Sequence, residues 1–250
     1  MSFFGIGLNF TAIVFNKEND LKVAAAILAG GTGSRFGGNL PKQFEKIGER
    51  TILERSVAAF DDHPQVDEIV VVIHQDYIEY TQKLLRGFSK VKAVIQGGET
   101  RSRSSFAGIE FFKDYQPDTK ILIHDAARPF VSEKIITNVI TALDTHSAVN
   151  VALSVPDTVI ETDNSGKMKA IPERSSLKLV QTPQGFILSV IKLAYETAFK
   201  DPGFAATDDC GVVFNYLKEI DIFIVEGEPK NIKITTRSDL DFGRNFFVDQ

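Results

Sequence analysis

From Val23 onward, apolar runs of strand length alternate with segments of helical period, and this alternation leaves few folds open to the chain. The runs are "VAAAILAG" (23–30), "DEIVVVIHQ" (67–75), "VKAVIQGG" (91–98), "KILIHDA" (120–126) and "NVALSV" (150–155). Between them stand "TILERSVAAFDDH" (51–63), "DYIEYTQKLLRGF" (76–88), "RSRSSFAGIEFF" (101–112) and "SEKIITNVITALD" (132–144), each with one apolar face. Continuously apolar strands joined by amphipathic helices predict βαβ units, hence a mostly parallel twisted sheet of Rossmann-like type with helices on both faces. Such sheets bind ligands beyond the carboxyl ends of their strands. The polar residues after each run are therefore the first places to look for function: Gly30–Arg35, His74–Asp76, Gly97–Arg103 and Asp125–Arg128.

The rhythm breaks at Val155. "VPDTVIETDNSGKMKAIPER" alternates apolar and polar residues around the turn signal "DNSG" and predicts a β-hairpin. Its polarity gives it little reason to enter the core, so an arm over about 155–175, packing on a second copy of the chain, is expected. The α/β pattern then resumes with "VQTPQGFI", a helix near 187–199, another opening at "TDDCGVV", a strand "IDIFIVEG" (220–227), the strand-like "NIKITT" and a last helix from about Ser238. No repeat or interdomain linker intervenes. One domain over 21–250 is the simplest organisation, preceded by a Phe-rich extension over 1–20 that carries neither the basic region nor the cleavage site of a signal peptide.

A formal net charge of −5 argues against general affinity for nucleic acid or anionic membrane, so any anion site must be a local concentration of basic groups. The only cysteine, Cys210, cannot form an internal disulfide, which suits a reducing cytoplasm.

"LAGGTGSRFGGNLPKQF" (28–44) places glycines, an arginine and a lysine directly after the first apolar run. The dinucleotide fingerprint does not fit, because the spacing Gly31, Gly33, Gly37 is one residue too long. A Walker loop needs Gly-Lys-Ser/Thr, and the chain offers Gly33-Ser34-Arg35. There remains a turn whose N–H groups can face a phosphate at close range, followed by two cations: Arg35, able to grip phosphate bidentately, and Lys42, a point charge after a proline. A plain strand-to-helix turn with solvated charges is the other reading of the same residues.

With "GGETRSRSS", "HDAARPFV", "PDTVIE", "ER…QTPQGF", "TDD" and "NIKITT" following in order, the chain from about Val23 to its last helix resembles the 2-C-methyl-D-erythritol 4-phosphate cytidylyltransferases, with the ribitol-5-phosphate cytidylyltransferases as near relatives. The resemblance implies a fold of the nucleotide-diphospho-sugar transferase type and transfer of CMP from CTP to a polyol phosphate, with Mg²⁺ and release of pyrophosphate. It implies that Gly30, Gly31, Thr32, Gly33 and Ser34 wrap the CTP phosphates, while Arg35, Lys42 and Lys233 act on the transition state. Gly98, Glu99 and Ser104 would meet the cytosine, with Glu99 standing where the family often has Asp. Asp125 would hold the metal, and Arg128, Thr158, Arg174 and Thr182 the acceptor, Arg174 from a neighbouring subunit of a homodimer. His124 is expected to be structural, and Asp208 and Asp209 to cap a helix rather than act in catalysis. "LAGGTGSRFG" and "IPER" lean towards ribitol phosphate; "HDAARP", "QTPQGF" and "TDD" lean towards methylerythritol phosphate and fall on the acceptor side. A non-catalytic nucleotide-binding module is the reading from another class, opposed by the presence of Arg35, Lys42, Asp125 and Lys233 together.

Overall fold

The structure, a computed structural model, describes residues 22–31 and 41–248. The extension over 1–20, and Thr32, Gly33, Ser34 and Arg35, lie outside the described residues. The main sheet is built from β1 (Val23–Leu28), β4 (Glu68–Ile73), β5 (Val91–Gln96), β6 (Lys120–Asp125), β7 (Ala148–Ser154), β10 (Lys178–Ile187) and β11 (Ile222–Glu226). The small β2 (Lys46–Ile47) and β3 (Arg50–Thr51) pair with each other, as do β8 (Glu161–Thr162) and β9 (Met168–Ala170). Strand order in the seven-stranded sheet is β11-β7-β10-β6-β1-β4-β5. Only β10 runs antiparallel, to both β6 and β7; the mostly parallel sheet expected above is present. The helices are α1 (Ile52–Asp61), α2 (Ile78–Leu84), α3 (Arg101–Phe111), α4 (Glu133–Ala142), α5 (Leu188–Ala198), α6 (Asp209–Tyr216) and α7 (Arg237–Val248).

Alternate strand residues feed opposite cores. Val23, Ala25 and Ile27 of β1, with Ile69, Val71 and Ile73 of β4, pack under α1 and α4 through Leu53, Val57, Phe60, Ile136 and Val139. Ala24, Ala26 and Leu28, with Val70 and Val72, pack under α3, α5 and α6 through Ile109, Ile191, Tyr195 and Val213. Each of the buried Val, Leu and Ile side chains among these contributes roughly 1.5–3 kcal/mol. The alanines of β1 let α3 come close: a Cβ on Gly108 would stand 2.9 Å from that of Ala26. Thr51 starts α1 with a capping box, its hydroxyl accepting from the Glu54 N–H while the Glu54 carboxylate accepts from the Thr51 N–H.

One expectation needed changing. "NIKITT" forms no strand; the stretch 231–235 is irregular, its Ile234 N–H donating to the Ala127 carbonyl. The arm exists, but its paired strands span two and three residues. Its turn is the expected one: Asp163 Oδ1 accepts from the Ser165 and Lys167 N–H groups, and Gly166 takes the left-handed conformation (φ 81°) that favours glycine.

β1 connects outward to β4 and β5, and the chain then crosses back to β6 on the other side of β1. This reversal of winding opens a crevice beyond the carboxyl ends of β1 and β6.

Candidate active site

That crevice is a cleft of about 460 Å³, walled by Ala29, Gly30 and Gly31 after β1, Lys42 and Gln43, Gly98–Arg101 after β5, Ser104, Asp125–Ala127 after β6, and Lys233 and Thr235. Residues separated by more than two hundred positions thus meet because parallel strands deliver their ends to one edge.

Asp125, the last residue of β6, sits at the centre. Its Oδ1 accepts from Arg101 Nε at 3.2 Å and its Oδ2 from Lys233 Nζ at 2.7 Å. Burial alone would push this carboxyl up, but the charges of Arg101, Lys233 and Arg128 outweigh it and hold the group well below the usual carboxylate range. Asp125 is therefore an anion throughout the physiological range. Its backbone N–H donates to Thr182 Oγ1 at 3.1 Å.

Lys42 stands on a single 3₁₀ turn, Lys42–Phe44, entered through Pro41. Buried Gln43 pins that turn to the end of β1 by donating to the Ala29 carbonyl at 2.8 Å. Lys42 Nζ donates to the Ile234 carbonyl at 2.7 Å, so it lies beside the segment that carries Lys233. The segment is tied from below by Asn231, whose Nδ2 donates to the Thr182 carbonyl at 2.9 Å. Two ammonium groups from distant parts of the chain share one cleft with the Asp125 carboxylate.

On the β5 side, the Gly97–Thr100 turn folds over Ser104. The Gly98 N–H donates to Ser104 Oγ at 3.2 Å, and that hydroxyl donates to the Thr100 carbonyl at 3.0 Å. A Cβ on Gly98 would lie 2.4 Å from Arg103 Cβ, so no other residue fits the turn as it stands. Thr100 caps α3 by accepting from the Arg103 N–H, and Glu99 is exposed at the rim.

The acceptor-side residues are placed elsewhere. Arg128 is spent on backbone, donating to the carbonyls of Asn231 (2.7 Å) and Val180 (3.1 Å), and is not part of the cleft wall. Thr182 is buried behind Asp125, between its N–H and His124. His124 is wholly buried, and burial pushes its pKa down to about 4, so the ring is neutral at pH 7. Its Nε2 must donate to the Arg128 carbonyl, which leaves Nδ1 to accept from the Thr182 hydroxyl. The expected structural histidine has that surrounding. Thr158 and Arg174 sit on the exposed arm, where Arg174 donates to the Pro156 carbonyl at 3.2 Å beside a shallow cavity of about 410 Å³.

Two buried residues escaped sequence reasoning. Asp208 caps α6, as expected, accepting from the Gly211 N–H at 2.9 Å. Asp209, in contrast, turns inward to face Arg101 at 2.8 Å and accepts from the Tyr195 hydroxyl at 2.6 Å. Gln184 Oε1 accepts from the N–H groups of Asp209 and Cys210, at 2.9 and 3.1 Å, and locks the start of α6 to β10.

The chain that builds this cleft is matched over residues 23–249 by the family model of 2-C-methyl-D-erythritol 4-phosphate cytidylyltransferase. The chain belongs to this cytidylyltransferase family. A 2-C-methyl-D-erythritol 4-phosphate cytidylyltransferase of Thermobifida fusca is 48% identical over 225 residues, 88% of this chain and 90% of the relative. A bifunctional ribulose 5-phosphate reductase/CDP-ribitol pyrophosphorylase of Haemophilus influenzae is 38% identical over 90% of this chain, which spans 47% of that longer protein. Among solved structures, the 4-diphosphocytidyl-2C-methyl-D-erythritol synthase of Anaerococcus prevotii superposes with a TM-score of 0.80 at 29% identity, over 92% of this chain and 97% of its own. The 2-C-methyl-D-erythritol 4-phosphate cytidylyltransferase of Thermus thermophilus gives 0.73 at 30% identity, over 90% and 98%. As in other members of the cytidylyltransferase family, nucleotide chemistry is the activity to be read from the cleft.

Proposed function

We propose that the chain transfers CMP from CTP to 2-C-methyl-D-erythritol 4-phosphate, forming 4-diphosphocytidyl-2-C-methyl-D-erythritol and pyrophosphate. The observation that carries this reading is the meeting of Lys42, Lys233 and Asp125 in one glycine-lined cleft of a chain from this family. An oxygen of the acceptor phosphate attacks the α-phosphorus of CTP. The bond from that phosphorus to the oxygen bridging to the β-phosphate breaks, and pyrophosphate leaves with the electron pair. The attacking phosphate is already anionic near neutral pH, so no general base is needed, and His124, next to Asp125, is buried and held neutral. What the step requires is in-line placement and cancellation of charge gathering on the α-phosphate. Lys42 and Lys233 supply that charge, with Arg35 as a third cation, while Gly30 and Gly31 bring N–H groups to the phosphates and Gly98, Glu99 and Ser104 border the base.

Asp125 is the residue that would hold Mg²⁺. Each of its oxygens accepts one hydrogen bond and so keeps a lone pair, and no group of three metal-binding side chains exists among the described residues. That donor set suits an ion that takes few protein carboxylates and draws its other ligands from phosphate and water. When bound, Mg²⁺ neutralises charge on the triphosphate and on the departing pyrophosphate.

The acceptor end of the reading uses a second subunit. Every residue from Asp157 to Ile171 is exposed, including the apolar Val159, Ile160, Met168 and Ile171, an arrangement suited to burial against another copy. Arg174 and Thr158 on such an arm would reach the neighbour's cleft and grip the acceptor phosphate. A cytoplasmic location agrees with the single, buried cysteine, and no described helix is long and apolar enough to cross a membrane.

Pyrophosphate release from CTP and Mg²⁺, with methylerythritol phosphate and ribitol 5-phosphate offered in parallel, tests the assignment. Turnover with the first acceptor at least about a hundredfold above the second is expected, a margin that a recognised hydroxyl pattern can provide. Preference for ribitol 5-phosphate would favour the second reading, which the Haemophilus relative keeps in view. Release with neither acceptor would favour a binding module. Gly98→Ala should raise the KM for CTP by about tenfold while lowering the melting temperature by only a few degrees, because the clash is confined to the turn. An unchanged KM would remove this turn from the nucleotide site.

A further inference from the structure

Asp209 is a costly residue for a helix start. Asp208 already caps α6, and an exposed acid at the next position would favour the helix dipole equally well. Asp209 is instead fully buried, where a carboxylate is stable only if paired. Its partner, Arg101, is badly placed for its own helix, since a cation at the first residue of α3 opposes that dipole. Both local costs are explained by the same object. Tyr195 Oη donates to Asp209 Oδ1 at 2.6 Å, Arg101 faces Asp209 Oδ2 at 2.8 Å, Arg101 Nε donates to Asp125 Oδ1 at 3.2 Å, and Lys233 Nζ donates to Asp125 Oδ2 at 2.7 Å. Charges alternate along this line from a wholly buried end to the cleft wall. The guanidinium fork spans both carboxylates, a geometry that an ammonium cannot reproduce.

We propose that Asp209 is a positioning residue for cytidylyl transfer: through Arg101 it holds the Asp125 carboxylate, and with it Lys233, in the orientation the reacting phosphates require. Asp209 touches neither substrate. Gln184 extends the support by fixing the backbone of Asp209 to β10, and Asn150 on β7 accepts from Gln184 Nε2 at 3.0 Å. The inference rests on the transfer reaction proposed above.

The test is steady-state kinetics of Asp209→Asn, Arg101→Lys and the double variant, beside thermal melting of each. The wild type must first release pyrophosphate from CTP with methylerythritol phosphate; if it does not, the functional reading fails before this one is reached. With an active wild type, Asp209→Asn is expected to lower kcat about thirtyfold or more, with the KM for CTP within about threefold, as for a displacement of the reacting groups rather than lost binding. Arg101→Lys should lose kcat by a similar factor. The double variant should be no slower than about threefold below the worse single one, because both act through one link. A folded Asp209→Asn enzyme with wild-type kcat overturns the proposal, as does a loss that appears in KM alone. Should Asp209→Asn fail to fold, Arg101→Lys decides: retained kcat overturns the proposal, and a fall in kcat at unchanged KM supports it.

Discussion

Replacing Lys42 by alanine is expected to lower kcat about a thousandfold while moving the KM for CTP by about fivefold or less. The lysine is rigidly presented. Pro41 leads into its 3₁₀ turn, Gln43 anchors the turn to the Ala29 carbonyl, and Nζ stands 2.7 Å from the Ile234 carbonyl. A charge so held needs no reorganisation when negative charge gathers on the α-phosphate, so its removal falls mainly on the transition state. Lys42 belongs to no core cluster, and the melting temperature should stay within a few degrees of the wild type. Steady-state kinetics with CTP varied at saturating acceptor, beside a thermal melt, decides the matter. A large rise in KM with kcat preserved would make Lys42 a holder of ground-state phosphate.

The second large effect concerns two subunits at once. If Arg174 serves the neighbour's cleft, Arg174→Ala and Lys42→Ala enzymes should each be nearly inactive alone. After subunit exchange they should recover roughly a quarter of wild-type turnover, because half of the random dimers are mixed and each mixed dimer has one site with both residues intact. No recovery, with exchange verified by tagged subunits, would place Arg174 in its own subunit's site. Charging the bare face of the arm with Ile160→Asp and Ile171→Asp should give monomers in sedimentation and abolish turnover together.

Much of this architecture could be read from residue order. The strands of the parallel core carry continuous Val, Ile and Ala runs, which no surface helix would show, and Lys42, Gly98, Asp125 and Lys233 all stand just after or near such runs. Direction of pairing was not readable. "VQTPQGFI" is buried from Gln181 onward despite its polar Gln181, Thr182 and Gln184, and neither its composition nor its burial says that β10 runs against its neighbours. "NIKITT" has strand periodicity, but its Ile234 backbone is bonded to Ala127 and Lys42. Asp209 was hidden for a different reason. Sequence shows an acid at a helix start and suggests a cap, whereas the guanidinium it meets stands more than a hundred residues away on another helix. Thr182 likewise carries a hydroxyl that serves as a backbone acceptor for Asp125, a role no spacing rule announces.

β7 leaves the sheet at Ser154 and β10 returns at Lys178, so the arm is a detour between two adjacent strands already joined side by side. The cleft takes its walls from the ends of β1, β5 and β6, the Lys42 turn, the start of α3 and the 231–235 segment, and none from that detour. If Thr158 and Arg174 grip the acceptor as proposed, nucleotide handling and acceptor contact are written in separate stretches of chain. Under the proposed reading, exchanging residues 155–177 for those of a relative with another polyol phosphate should redirect the enzyme without rebuilding the part that breaks the triphosphate.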